Sequence, residues 1–143
     1  PVELFFDNFE DGNLNGWSLY GAGVSWSAST DTSYQGSWSA RAKQTGAGSD
    51  SFMETSISSS NYSALTFEYY RKLIGLDAAD SFEASYYNNG IWISVENLAS
   101  ITDTAFVYKS FNIPNTATKI RFKCECGAVS EMCYIDNVKI IGE

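Results

Sequence analysis

The chain is expected to fold as an all-β protein, a two-sheet antiparallel β-sandwich, and three features of its sequence predict this. Apolar and polar residues alternate with a period of two in one segment after another. These strand-length runs recur about every 8–15 residues, separated by clusters of Gly, Asn, Asp and Ser. No stretch carries sustained helical periodicity, so the layers must be sheet on sheet. At 143 residues the chain fits a single domain, residues 1–143, long enough to bury about two thirds of its unfolded surface.

Residues 4–9 read as a strand that ends in a turn cluster over 10–16, and Trp17 follows as a structural plug. Residues 24–29 set Val24, Trp26 and Ala28 against three serines. After a polar loop at 30–36, residues 37–43 send Trp38, Ala40 and Ala42 inward and Arg41 and Lys43 outward. A loop at 45–51 leads into a strand at 52–57, and 58–63 is a turn region. The clearest strand, 65–72, opposes Leu65, Phe67 and Tyr69 to Thr66, Glu68, Tyr70 and Lys72. Residues 76–80 suit one helical turn. Residues 81–87 place Phe82, Ala84 and Tyr86 inward and Glu83, Ser85 and Tyr87 outward. Asn88-Asn89-Gly90 is a hairpin signal, because Asn-Gly adopts positive φ cheaply, and 91–95 returns from it. A strand at 106–113 stops at Pro114. Residues 119–126 set Ile120, Phe122 and Cys124 against Lys119, Arg121, Lys123 and Glu125, and 133–141 closes the chain.

Composition excludes several functions. A net charge of −8 is the wrong sign for a nucleic-acid partner. No apolar run reaches the length of a membrane span, and no charged-then-apolar leader precedes Pro1, which reads as a mature or trimmed segment. Histidine is absent, so the Ser–His–Asp arrangement cannot be built, and no phosphate loop occurs. A paired-carboxylate glycosidase would require Glu68 and Glu83 to face each other across adjacent strands. Cys124, Cys126 and Cys133 lack a fourth ligand for zinc, so a disulfide closing the loop between the last two strands is expected. Cys126–Cys133 is favoured over Cys124–Cys133, which leaves Cys124 buried in line with Phe122. A disulfide places the protein outside the cytosol, as a secreted chain.

In the last strand Asp136 shares a side with Val138 and Ile140, so a carboxylate is aimed with core residues. Unpartnered, it would cost several kcal/mol, so it must meet a cation, backbone donors or a metal. Asn8 and Glu10, two residues apart on one side of the first strand, supply oxygen atoms. An ion stitching the first strand to the last is expected, and calcium suits an all-oxygen set.

The ordered set Asn8-Phe-Glu-Asp-Gly, Gly16-Trp17, Gly36-Ser-Trp-Ser-Ala-Arg-Ala42, Leu65-Thr-Phe-Glu-Tyr-Tyr-Arg71, Asp80-Ser-Phe82, Asn89-Gly-Ile-Trp92, Ile120-Arg-Phe122 and Tyr134-Ile-Asp-Asn-Val138 resembles the calcium-containing jelly-roll carbohydrate-binding modules. It is closest in style to those attached to secreted bacterial, often marine, polysaccharide-degrading enzymes and to secreted proteases, and it covers nearly the whole chain. The resemblance implies a jelly roll with a structural calcium ion. It maps the ion to Glu10 and Asp136, with Asn8 and backbone carbonyls near Gln35 and Ser37 as further ligands. Asn8 stands where the family often has an acidic residue.

Parity sorts the residues free to bind. Glu68, Tyr70, Lys72, Glu83, Tyr87, Arg121, Lys123 and Glu125 point outward, and basic charge is gathered on strands. If those strands are neighbours, they form a polar face with Tyr rings for stacking on sugars and Arg or Lys for carboxylate or sulfate groups. Alternating Lys and Glu equally suits a solvated face with cross-strand pairs. Loops carrying Tyr20, Tyr34, Tyr62 and the Asn88-Asn89 turn are a second candidate. The expected function is a monomeric, non-catalytic module that holds a parent catalytic domain on a plant or algal cell-wall polysaccharide. The alternative is a structural or protein-contacting domain of a secreted protease or adhesin.

Overall fold

A computed structural model describes residues 1–47, 50–59 and 61–143. Its eleven strands among these residues are β1 (Val2–Asp7), β2 (Ser18–Ala22), β3 (Val24–Ser29), β4 (Ser39–Gln44), β5 (Asp50–Ser56), β6 (Leu65–Ile74), β7 (Ser81–Asn88), β8 (Ile91–Leu98), β9 (Val107–Ile113), β10 (Lys119–Glu125) and β11 (Met132–Gly142). The described residues contain no helix, and the strands form two antiparallel sheets, a β-sandwich of the jelly-roll kind. Of the loops expected at 45–51 and 58–63, Gly48, Ser49 and Ser60 lie outside the described residues.

The first sheet runs β3-β4-β11-β6-β9, and the second runs β2-β5-β10-β7-β8. β11 is the spine of the first. One edge of it is shared by β4, against Met132 to Ile135, and by β1, against Val138 to Gly142, while β6 covers the other edge. Inward-facing residues of both sheets fill the interior, including Phe67, Tyr69, Phe82, Phe122, Ile135, Val138 and Ile140, all fully buried. Trp17 and Trp26 are buried as expected; their ring N–H groups donate to Asp7 Oδ2 (2.8 Å) and to the Ser51 carbonyl (3.1 Å). The Asn89-Gly90 hairpin also forms, with φ of 50° and 83° at its two central residues.

Beyond the Trp26–Ser51 hydrogen bond, two further links tie the sheets together. Tyr69 and Arg71 of β6 reach Glu96 of β8: the Tyr69 hydroxyl donates to Glu96 Oε1 at 2.7 Å, and Arg71 grips both Glu96 oxygens at 2.9 and 3.2 Å. Arg71 also donates to Asp103 at 2.8 Å. Such a buried cluster adds little net stability over an apolar equivalent, because desolvation offsets most of the attraction. The second link is the disulfide, which joins Cys124 of β10 to Cys133 of β11, so Cys126 is the buried free thiol. This corrects the favoured Cys126–Cys133 pairing. Cys124 and Cys133 are inward positions on facing sheets, whereas Cys126 lies beyond the end of β10.

Four further expectations are corrected. Tyr20, expected in a loop, lies in β2, an exposed edge strand without alternation that is held by its pairing with β5. Residues 76–80 form no helical turn; Leu76 bridges Ile101, and Asp77 begins a tight turn closed by Asp80. Asn8 to Glu10 are not a strand, since Phe9 has a φ of 61° and β1 ends at Asp7. Asp136 does not share a side with Val138 and Ile140. A bulge at Asn137, φ 45°, shifts the register, so Asp136 pairs with outward Tyr70 while Ile135 and Val138 both face the core.

Removing the sulfur at position 124 or 133 should therefore lower stability by about 2–3 kcal/mol, as expected for so short a closed loop, whereas Cys126→Ser should keep the crosslink. Thiol counting by alkylation in denaturant, with and without reductant, checks the pairing: Cys126→Ser should show no thiol before reduction.

Candidate functional site

The outer face of the second sheet gathers aromatic rings around one guanidinium. Arg121, at the centre of β10, lies 4.0 Å from the Trp92 ring centroid and 4.6 Å from that of Phe52. Each ring has an aromatic neighbour. Tyr20 stacks on Phe52 at 4.8 Å and Tyr87 packs on Trp92 at 5.1 Å. The result is a strip, ring pair–guanidinium–ring pair, that crosses all five strands. It follows from pairing: β5 and β7 flank β10, and β2 and β8 lie outside them.

Polar groups fill the spaces between the rings. The Tyr20 hydroxyl donates to Glu54 Oε1 at 2.7 Å and accepts from Arg121 Nη1 at 3.1 Å. Burial, then the bond to Glu54, pushes that hydroxyl above its usual range. Lys119 sits 5.1 Å over the Tyr87 ring and 3.5 Å from Glu54. Lys123 is in register with Glu83, which accepts from Asn97, and Ser81 donates to Glu125. Rings beside donors and acceptors on a sheet face can stack on an apolar ring face and hydrogen-bond a set of hydroxyls.

Of the eight residues expected on one face, Glu83, Tyr87, Arg121, Lys123 and Glu125 lie on this sheet. Glu68, Tyr70 and Lys72 lie on β6, in the other sheet, so the sandwich separates the two groups. For the same reason Glu68 and Glu83 cannot pair across adjacent strands. Phe52, Glu54, Trp92 and Lys119 are not among the expected binding residues, although the sequence places Lys119 on the same side as Arg121. The parity of Phe52 was legible from its inward neighbour Met53, but which strand lies beside which was not. Tyr20, expected at a loop tip, belongs to β2 and this strip.

Two of the residues expected to hold a metal, Glu10 and Asp136, both bond to the loop at 34–38, through its N–H groups rather than its carbonyls. Glu10 accepts from the Ser37 and Trp38 N–H groups, both at 2.8 Å. Asp136, fully buried, accepts from Tyr34 and Asn137 at 2.8 Å and from Gln35 at 3.3 Å. The loop from 34 to 38 is thus clasped by two carboxylates from opposite ends of the chain. Burial, with a contribution from the Glu10 charge, pushes Asp136 up to about 6. Asn8 instead turns inward on its own segment, its Oδ1 accepting from the Glu10 N–H at 3.1 Å. Gln35 accepts through Oε1 from Asn137 Nδ2 at 3.1 Å, and the buried Asn137 Oδ1 has no partner. Carboxylate and amide oxygens are the donor types that a hard, oxygen-seeking cation such as calcium takes.

A separate acidic trio lies at the turn after β6 and the turn before β11. Asp77, Asp80 and Glu131 each offer an oxygen within 4.8 Å of the others. Burial pushes the Glu131 carboxyl up, and the N–H groups of Gly127 and Ala128 at 2.8 and 2.9 Å partly offset this.

No family model matches the chain, and no curated protein matches it. Solved structures do. The chain superposes on the TmCBM61 structure in complex with β-1,4-galactotriose with a TM-score of 0.70 at 13% identity, covering 95% of this chain and 94% of that one. The CBM22-1 xylan-binding domain of Paenibacillus barcinonensis Xyn10C gives 0.65 at 19%, covering 97% and 93%. The K3 cleaved adhesin domain of Lys-gingipain from Porphyromonas gingivalis gives 0.74 at 14%, covering 99% and 100%. At these identities the shared property is the fold.

Gly36 lies at the centre of the clasped loop with a φ of +74°, and a Cβ there would strike the Glu10 carboxyl. Gly36→Ala should cost about 1–2 kcal/mol from the left-handed backbone alone, and more from the collision. Urea unfolding of the variant measures it; unchanged stability would remove Glu10 from the clasp.

Proposed function

We propose that this domain is a non-catalytic carbohydrate-binding module, secreted, that holds a polysaccharide-degrading enzyme on its substrate. One observation carries the reading: Arg121 lies between the Phe52 and Trp92 rings on a sheet face, with Tyr20 and Tyr87 extending the strip. A glycan chain lying across the strands meets rings for stacking and Arg121, Lys119, Glu54 and Glu83 for its hydroxyls. All of these stand on paired strands, so little ordering entropy is lost on binding. Structures of the same fold that carry a xylan-binding name or a bound galactotriose support the reading. Tethering acts by raising the local concentration of the host enzyme at the polymer.

Calcium belongs to this reading as a structural ion. Glu10 and Asp136 would hold it, with the 34–38 loop, which bonds to both, covering it. The ion supplies positive charge where two carboxylates meet. The chain's own contribution is to fasten β1, β11 and that loop into one unit.

A second reading, a protein-contacting domain of a secreted protease or adhesin, has the full-length likeness to the gingipain adhesin domain in its favour. Affinity electrophoresis in gels containing xylan, β-1,4-galactan, laminarin or agar separates the two. Retardation supports the module, and free migration on every gel supports the adhesin reading. Where the parent is retarded, Trp92→Ala and Arg121→Ala should each weaken binding about 10-fold or more, about 1.4 kcal/mol, with the melting temperature nearly unchanged. Parental binding by both variants would refute the strip.

Chelation gives an independent check. Asp136 holds its proton more tightly folded, at about 6, than at its ordinary 3.8. In chelator, the contribution of Asp136 to stability is therefore full below about pH 4 and is lost as pH rises through about 6. Calcium favours the ionised carboxylate, so the melting-temperature difference between calcium and chelator should widen from pH 4 to pH 7. No difference at either pH would exclude the ion.

A further inference from the structure

The face opposite the strip carries a groove that the proposed function does not use. Its walls are Thr32, Ser33 and Tyr34 from the loop after β3, Lys72 from β6, and Thr104, Ala105 and Phe106 from the segment before β9, enclosing about 380 Å³. That lies within the range of small-ligand sites.

The groove is built rather than incidental. Tyr34 stacks on Tyr70 with centroids 3.5 Å apart and planes at 15°, and Tyr70 packs on Tyr108 at 5.1 Å. Tyr34 remains 47% exposed although Tyr70 stacks on it. Phe106 stands across it, 6.4 Å away at 69°, making a floor and a wall at a steep angle. The floor is held from below, because the Tyr34 N–H donates to the buried Asp136. Thr32 is pinned as well, its carbonyl accepting from Ser39 Oγ at 2.7 Å.

The charge in the groove is the distinguishing feature. The Lys72 ammonium lies 6.0 Å from the Phe106 centroid and, among the described residues, pairs with no carboxylate. The nearest acids in sequence to the walls are neutralised elsewhere: Asp31 by Arg41 at 2.7 Å, Asp103 by Arg71 at 2.8 Å. An uncommitted cation in a chain of net charge −8, with an exposed Tyr ring and three hydroxyl side chains around it, selects a ligand of particular chemistry. It must present a flat apolar ring face, hydroxyls and an anion.

We propose that this groove is a second saccharide site, specific for an anionic pyranose, with Tyr34 as stacking platform, Phe106 as wall and Lys72 as counter-ion to a carboxylate or sulfate. It shares no residue with the Arg121 strip, so either site can fail alone.

The test uses the whole chain carrying Arg121→Ala, which disables the strip, against polygalacturonate, carrageenan and neutral β-1,4-galactan by affinity electrophoresis and calorimetry. Retention on polygalacturonate or carrageenan, but not on galactan, is expected. Binding to one and not the other assigns the anion as carboxylate or sulfate. Adding Lys72→Met, which keeps the stem and removes the charge, should weaken that binding at least 10-fold, and Tyr34→Ala should do the same. Lys139→Met, on the same sheet outside the groove, should not. Failure of Arg121→Ala to bind either polyanion, equal loss with Lys139→Met, or parental affinity with Lys72→Met and Tyr34→Ala would each overturn the site.

Discussion

The carboxylate of Asp136 governs more of this structure than any other single group. It is fully buried on the outward side of β11, and burial there is tolerable only because three backbone N–H groups and the covering loop surround it. The bulge at Asn137 makes this placement possible. Without it, Asp136 and Val138 would lie on one side of the strand, and either the charge would enter the core or the apolar residue would leave it. The bulge lets Ile135 and Val138 both face inward while the intervening carboxylate turns out toward the loop.

From that anchor the two termini come together. Glu10 follows β1, Asp136 lies within β11, and the same five-residue loop bonds to both. The loop in turn places Tyr34 on Tyr70, so an electrostatic requirement at a buried site dictates the position of an exposed aromatic ring. On the far edge Arg71 and Glu96 perform the equivalent task between sheets, and the Cys124–Cys133 crosslink fixes the middle. Each link joins strands remote in pairing order, which leaves the two outer faces as rigid surfaces.

Those faces differ in how they use cations. On the second sheet Arg121 and Lys119 are committed to rings and to Tyr20 and Glu54, so charge there organises an aromatic strip. On the first, Lys72 lies 6.0 Å from the Phe106 ring centroid and, among the described residues, pairs with no carboxylate. Aromatic residues divide likewise. Phe67, Tyr69, Phe82 and Phe122 interlock as the core, while Tyr20, Phe52, Tyr87, Trp92, Tyr34 and Tyr70 stand outside it.

The sequence by itself determined the all-strand class, ten of the eleven strands, the inward and outward parity of most of them, and the turn at Asn89-Gly90, because alternation and turn chemistry are local properties. It also linked Glu10 with Asp136, from the need of a core-aimed carboxylate for a partner and from a family likeness, although Asp136 is in fact turned outward. It did not reveal β2, an edge strand with no buried side to write a pattern. Nor did it show the bulge at Asn137 or the choice of Cys124 over Cys126, since both depend on what faces the strand from elsewhere in the chain. Above all, tertiary structure alone decided that β6 belongs to one sheet and β7 and β10 to the other, dividing one expected binding face into two. Parity states which side a residue takes; only the order of strands states which residues share that side.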